Sequence, residues 1–463
     1  MPRPAAPPTT AIDPPSDVQR DPRPVVVMRR LLTPIVSFVQ TEAKGGLLLL
    51  TATVIALIWA NSSWGDGYRH LLHTPIRIDI GGRGLQLPLE GWINDGLMAI
   101  FFFVVGLEIK REVLAGELAS PRQAALPIAG AIGGVVVPAL LYALINRGSD
   151  TLHGWGIPMA TDIAFALGIL ALLGRRVPLW LMVFLTALAI VDDLLAVLVI
   201  AAFYTDAIDW TWLAIAGGLM AVLVGLNLRD SRSPTAYLLV GGLLWYAMLR
   251  SGIHATIAGV LLGMSIPASP RKDRRRFVDD VQHALDRFKR GHSPGPHPVN
   301  RDQAAALHQI VRAVNDVDSP LHRIENSLHP WVSYAIMPVF ALANAGVELP
   351  LDRVVDALVA PAGVGVVVGL VLGKPLGIAA ASWLAVRLGI ADLPTGARWT
   401  HLIGAAILGG VGFTMSLFVT GLAFDDPANV AVAKIAILAA STVAAVTGLL
   451  FLHRVLPRAG AES

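Results

Sequence analysis

The chain has 463 residues, of which 54% are apolar and only 15% charged, with a mean hydropathy of +0.62. A soluble domain ordinarily carries about 25% charged residues, so this charge is too sparse to coat so much apolar surface, and a soluble globular fold is excluded. The absence of cysteine excludes disulfides, thiolate metal centres and thiol nucleophiles. The basic excess is slight, 36 Lys and Arg against 33 Asp and Glu, and no glycine-rich phosphate loop is present; nucleic-acid binding and ATP-driven pumping are therefore not expected.

Residues 1–28 hold eight prolines between Pro2 and Pro24, mixed with Ser, Asp and Arg. This composition cannot bury a core and predicts a disordered tail, without the apolar region of a cleaved signal peptide. Twelve apolar blocks follow, at 45–61, 94–107, 124–145, 157–174, 177–203, 210–228, 236–249, 252–269, 331–346, 361–386, 402–422 and 430–452. About 20 apolar helical residues cross a bilayer. The expectation is an all-α polytopic membrane protein of about 12 transmembrane helices, its membrane domain spanning 29–455 and a short tail following at 456–463. An even count puts both termini on one side. Of the 36 Lys and Arg, 28 then fall on the side of the termini, seven on the other, and Lys374 alone falls mid-membrane. The basic side faces the cytoplasm.

Two segments between the blocks have their own pattern. Residues 76–80 (Ile-Arg-Ile-Asp-Ile) and 85–89 (Leu-Gln-Leu-Pro-Leu) alternate around the glycine-rich turn 81–84, which predicts an external β-hairpin. The 270–328 loop carries eleven Lys and Arg. Within it, Phe277, Val278, Val281, Leu285 and Phe288 follow helical spacing, as do Leu307, Ile310, Val311 and Val314, predicting two amphipathic helices on the cytoplasmic side.

A charge at the bilayer centre costs about 2.5–3.5 kcal/mol on insertion scales, so the few exceptions carry information. Asp192 and Asp193 are adjacent inside 177–203, with fifteen uncharged residues before them and ten after. Such a pair requires protons, a basic partner or a bound hard cation, which suits carboxylate oxygens. Lys374 sits in the middle of 361–386 and is the natural partner; Pro375 after it, with Gly373 and Gly377, disfavours regular helix there. In the fourth block Pro158 weakens the helix, and Thr161 and Asp162 resemble the N-cap of a new half-helix. In the eleventh, Gly409, Gly410 and Gly412 interrupt the span. Open backbone within a membrane is tolerated only where it is buried or lines a cavity. One broken span in each half of the chain points to a mid-membrane site of a secondary transporter.

These segments together resemble the NhaA family of sodium/proton antiporters along most of the chain. The matching stretches begin with Trp-Ile-Asn-Asp-Gly-Leu-Met-Ala at 92–99 and Val-Gly-Leu-Glu-Ile-Lys-Arg-Glu at 105–112. They continue with Ala-Thr-Asp-Ile-Ala-Phe-Ala-Leu-Gly at 160–168, Ala-Ile-Val-Asp-Asp-Leu at 189–194 and Ser-Gly-Ile-His-Ala-Thr at 251–256. His-Pro-Trp at 329–331, Gly-Lys-Pro-Leu-Gly at 373–377 and Gly-Phe-Thr-Met-Ser at 412–416 complete the series. The resemblance implies inverted repeats whose broken helices, spans 4 and 11, cross near the site, and a homodimer in the bacterial inner membrane. It implies no cofactor and no catalysis, but exchange of internal Na+ or Li+ for external protons, two per cation. Asp193 would be the main cation ligand and Asp192 its partner, paired with Lys374 when empty; Thr161 and Asp162 would sit at the crossing. Activation by alkaline pH would run through an inner funnel containing Glu108, Glu112, Glu325 and His329. His254 reads either as an accessory titrating group or as a packing histidine, and Asp95 either as an accessory carboxylate or as a cap. Leu194 stands where many members have Gly, and Asn326 where some carry a second His; the proline-rich tail and the long 270–328 loop are expansions. A Na+-coupled symporter of organic anions and an intramembrane aspartyl protease are rival readings, but the first lacks further basic groups and the second gives Lys374 no role.

Overall fold

The computed structural model describes residues 44–80, 83–205, 207–269, 274–290 and 300–457. The tail at 1–28, residues 81–82 of the expected turn, and parts of the 270–328 loop and of the C-terminal tail lie outside the described residues.

The chain enters through α1 (Lys44–Ala60) and turns by 112° into the short α2 (Gly65–His73). The hairpin follows: β1 (Pro75–Ile80) and β2 (Arg83–Pro88) pair antiparallel, in register from Pro75 opposite Pro88 to Ile80 opposite Arg83. α3 (Leu89–Ala115) contains a π turn at Trp92–Leu97. α4 (Pro121–Ile145) leads to a 3-10 segment, Asp150–Met159, and then to α5 (Ile163–Leu172). α6 (Leu179–Phe203), α7 (Trp210–Leu228), α8 (Pro234–Ser251) and the short α9 (Thr256–Ser265) complete the first half. α10 (Arg274–Arg290) and α11 (Arg301–Val317) occupy the long loop. α12 (Pro320–Trp331) continues through a π turn at Val332–Ile336 into Met337–Asn344. α13 (Leu351–Val359), α14 (Pro361–Arg387), α15 (Trp399–Gly409), α16 (Phe413–Ala423) and α17 (Pro427–Val455) follow.

Helix starts obey local chemistry. Asp209 caps α7 by accepting from the N–H groups of Thr211 and Trp212, and Asp426 caps α17 just ahead of Pro427. Among the described residues six helices are long and apolar enough to cross a membrane alone. Three further pairs pass the same test across a bend: α1 with α2, the 3-10 segment with α5 (45°), and α15 with α16 (44°). This is a multi-pass helical membrane protein. Its large apolar side chains cover the outside, with Leu47, Leu144, Leu228 and Leu239 each about two-thirds or more exposed, as a lipid-facing surface requires. α6, which carries the acidic pair, lies at the centre: 67% of its apolar window is buried, against 11% for α7.

α14 meets the expectation at Lys374 in a modified form. The helix runs through without ending, but residues Gly369–Gly373 form a π turn just before Lys374. Pro375 has no N–H to give the preceding turn, and a single wide turn absorbs the defect without breaking the span. α14 also crosses α4 at very short range. A Cβ placed on Gly133 would stand 2.1 Å from the Gly377 carbonyl oxygen, and one on Gly377 would stand 2.1 Å from that of Gly133. Only backbone without side chains packs this closely. Gly133→Val should therefore push α14 off α4 and cost about 1–3 kcal/mol or more, read as a lowered unfolding temperature in detergent; an unchanged temperature would show that the contact is dispensable.

Candidate functional site

The two broken spans satisfy each other's open backbone. Thr161 Oγ1 donates to the Gly409 carbonyl (2.9 Å), and the Asp162 N–H donates to the Val411 carbonyl (2.8 Å). In return the Thr414 N–H donates to Asp162 Oδ2 (3.1 Å), and the Thr414 hydroxyl donates to the same oxygen. Ser416 Oγ reaches back to the Ile157 carbonyl (2.8 Å). A Cβ on Gly410 would meet the Leu370 carbonyl oxygen at 2.4 Å, which explains why glycine stands at this break.

Charges match the helix ends. Asp162 caps α5, accepting from the Phe165 N–H (2.9 Å), while its second oxygen serves the first turn of α16. One carboxylate thus faces two positive helix N-termini. Lys374 lies at the other pole: its ammonium donates to Thr161 Oγ1, whose own proton goes to Gly409 at the C-terminus of α15.

Lys374 also pairs with Asp192 at 2.6 Å, with 0% and 1% of the two side chains exposed. The other oxygen of Asp192 is buried and has no hydrogen-bond partner among the described residues. Asp193, 4% exposed, makes no hydrogen bond or ion pair among the described residues. It borders a narrow cavity of about 40 Å³ lined also by Asp162, Glu108, His329, Ser333 and Met415. This volume accommodates a water or a small ion. Among the described residues no three His, Asp or Glu side chains form a preformed metal cluster.

Thr161, Asp162, Asp192, Asp193 and Lys374 are therefore gathered at one place, with Glu108 and His329 on the cavity wall. Glu112 and Glu325 lie beside it through Arg111, which stands 3.1 Å from Glu325, 3.0 Å from Glu112 and 3.8 Å from Glu108. Glu325 lies ahead of the apolar part of its helix; burial pushes its carboxyl up from the ordinary value, while Arg111, His322 and His329 pull it down. His254 and Asp95 lie elsewhere. The His254 ring bonds the Tyr204 carbonyl, which favours the packing reading, and Asp95 lies in the π turn of α3, its carbonyl taking the Trp245 indole N–H (2.8 Å).

The sequence reading missed three participants. Arg111 was visible only as one basic residue of a span end, although its spacing from Glu108 fits a helical ion pair. Thr414 stood in the 412–416 stretch without an assigned role, and Ser333 carried no signal beyond being small and polar.

A multi-pass membrane protein with buried charges at the meeting point of two broken helices belongs to the secondary-transporter class of architecture. The model of the family described as Na+/H+ antiporter 1 matches residues 36–452. The Na+/H+ antiporter NhaA of Oleidesulfovibrio alaskensis is 51% identical over 431 residues, 93% of this chain and 95% of the relative. NhaA 1 of Saccharophagus degradans is 47% identical, covering 92% of each chain, and NhaA of Koribacter versatilis is 48% identical, also covering 92% of each. The chain belongs to the NhaA family of Na+/H+ antiporters.

Proposed function

We propose that this protein exports Na+ or Li+ from the bacterial cytoplasm in exchange for two protons per cation. In this reading it crosses the inner membrane twelve times as two inverted repeats, keeps both termini in the cytoplasm, works as a homodimer and is activated at alkaline pH through the Arg111 carboxylate cluster. One observation carries the exchange: among the described residues Asp193 borders the cavity without a hydrogen bond or ion pair, beside an Asp192 that is ion-paired with Lys374.

Facing inward, Na+ enters the cavity and takes the Asp193 carboxylate, with Asp162 nearby and waters completing its oxygen shell. Its charge displaces protons held by the acidic groups. Facing outward, protons return and expel the ion. Asp162 is tied to two helix ends and positions the crossing. Lys374 neutralises Asp192 when the site is empty. Cation and protons compete for the same charge, and that competition couples their fluxes.

Two protons against one Na+ differ by one unit charge, worth about 2.3 kcal/mol per 100 mV of membrane potential. The test is a pH-gradient assay in everted vesicles holding the protein, comparing Na+, Li+ and K+ at several pH values. Na+ and Li+ should dissipate the gradient, K+ should not, and an imposed potential should change the rate. A response to K+ equal to that to Na+ would end the assignment; a rate indifferent to potential would end the two-for-one exchange.

A further inference from the structure

α10 and α11 contribute no residue to the transport site, yet their arrangement is specific. Arg287 stands 3.6 Å from Asp302 near the connected ends, and the two helices pack as an antiparallel hairpin with Ala284, Ala306 and Ala313 buried between them. Phe277, Val281 and Phe288 extend the seam on α10, and Ile310 extends it on α11, all half-buried. A second apolar set remains outside: Val278 and Leu285 on α10, and Leu307, Val311 and Val314 on α11, each 42–56% exposed.

The second set lies one residue beyond the seam on both helices. Each step rotates a helical side chain by about 100°. Because the helices run in opposite directions, these rotations are of opposite sense seen from one end, so both sets emerge on the same side of the hairpin. The hairpin therefore has two apolar layers, one closed between its helices and one open.

The hairpin's roots say what covers the open layer. α9 ends at Ser265, and only Asp318 and Ser319 separate α11 from α12. The Leu321 N–H donates to the Pro267 carbonyl (3.3 Å), holding the two roots together two residues beyond the end of the apolar helix α9. Val314 and Val311 thus stand six and nine residues before Pro320, beside the root that is tied to the end of α9. α10 (RRRFVDDVQHALDRFKR) carries six Arg and Lys against three Asp, clustered at its two ends, the pattern of an interfacial helix.

We propose that the hairpin lies on the bilayer with Val278, Leu285, Leu307, Val311 and Val314 in the headgroup region, and that anionic lipid is its partner. A basic residue at such a surface contributes a factor of about five in partition, the equivalent of about 1 kcal/mol.

The chain is free of cysteine, so single-cysteine variants of the full-length protein carry a fluorescent label at one chosen site. Val311→Cys and Leu285→Cys report the open layer, and His283→Cys, exposed on the other side, is the control. The labelled proteins are placed in vesicles of phosphatidylcholine, with or without phosphatidylglycerol, containing a spin-labelled quenching lipid. Positions 311 and 285 should be quenched strongly with phosphatidylglycerol and less without it, while 283 is spared. Arg275→Gln with Arg276→Gln should lower the docked-to-free ratio about fivefold per charge removed. Equal quenching at 283 and 311, or none at either, would overturn the proposal. So would efficient Val311→Cys disulfide cross-linking between copies without quenching, since a second hairpin would then cover the layer.

Discussion

Asp193→Asn should reduce Na+-dependent proton flux in proteoliposomes by about a hundredfold or more while leaving the folded protein intact. The three aspartates buried at the crossing are committed differently. Asp162 accepts hydrogen bonds from Phe165 and Thr414. Asp192 pairs with Lys374. Asp193 is held by neither kind of bond among the described residues and borders the cavity. Asparagine keeps its shape but neither takes up a proton nor balances a cation. Removing one charge from a buried pair costs about 3 kcal/mol or more, equivalent to about a hundredfold in occupancy. The fold should tolerate the change because no bond to Asp193 is lost. Flux at the wild-type rate would place the cation elsewhere.

Lys374→Met should destabilise the protein by about 3–5 kcal/mol and suppress transport. Methionine keeps much of the side-chain length, so the loss is mainly of charge. Asp192 would lose its ionic partner while one of its oxygens already lacks a hydrogen bond among the described residues, and breaking a buried ion pair from one side costs this amount. Adding Asp192→Asn should restore most of the stability, to within about 1–2 kcal/mol of wild type, because neutral replacement of both partners removes the desolvated charges together. Transport should not return. Thermal unfolding in detergent micelles measures all three proteins. A double variant as unstable as Lys374→Met alone would mean that the lysine holds the fold by packing or through Thr161, and that the ion pair is incidental.

Much of the architecture could be read directly because membrane insertion penalises each residue almost independently of its neighbours in space. Six helices and three bent helix pairs, long and apolar enough to cross a membrane, reappear among the described residues at apolar blocks that hydropathy alone picks out. Asp192, Asp193 and Lys374 stood out for the same reason. The breaks were legible too, since Pro158 and the glycines at 409–412 act on their own backbone. Less legible was the form a defect takes. Pro375 predicted a departure from regular helix, and the chain makes a π turn without ending the span. A proline removes a hydrogen bond, but neighbouring helices decide how the loss is absorbed.

Chain order and side-chain chemistry alone establish a membrane-embedded helical protein, two interrupted spans and an acidic pair needing a counter-charge. The fold decides which groups meet: Thr161 with Gly409, Asp162 with Thr414, Arg111 with Glu325, and Lys374 with Asp192 across 182 positions. It also decides which acid is left over. Hydropathy is a property of each residue against its solvent, whereas pairing depends on distances set only when helices from both halves pack together. Asp192 and Asp193 are chemically identical neighbours, and α6 turns one to the lysine and the other to the cavity because successive residues on a helix point about 100° apart.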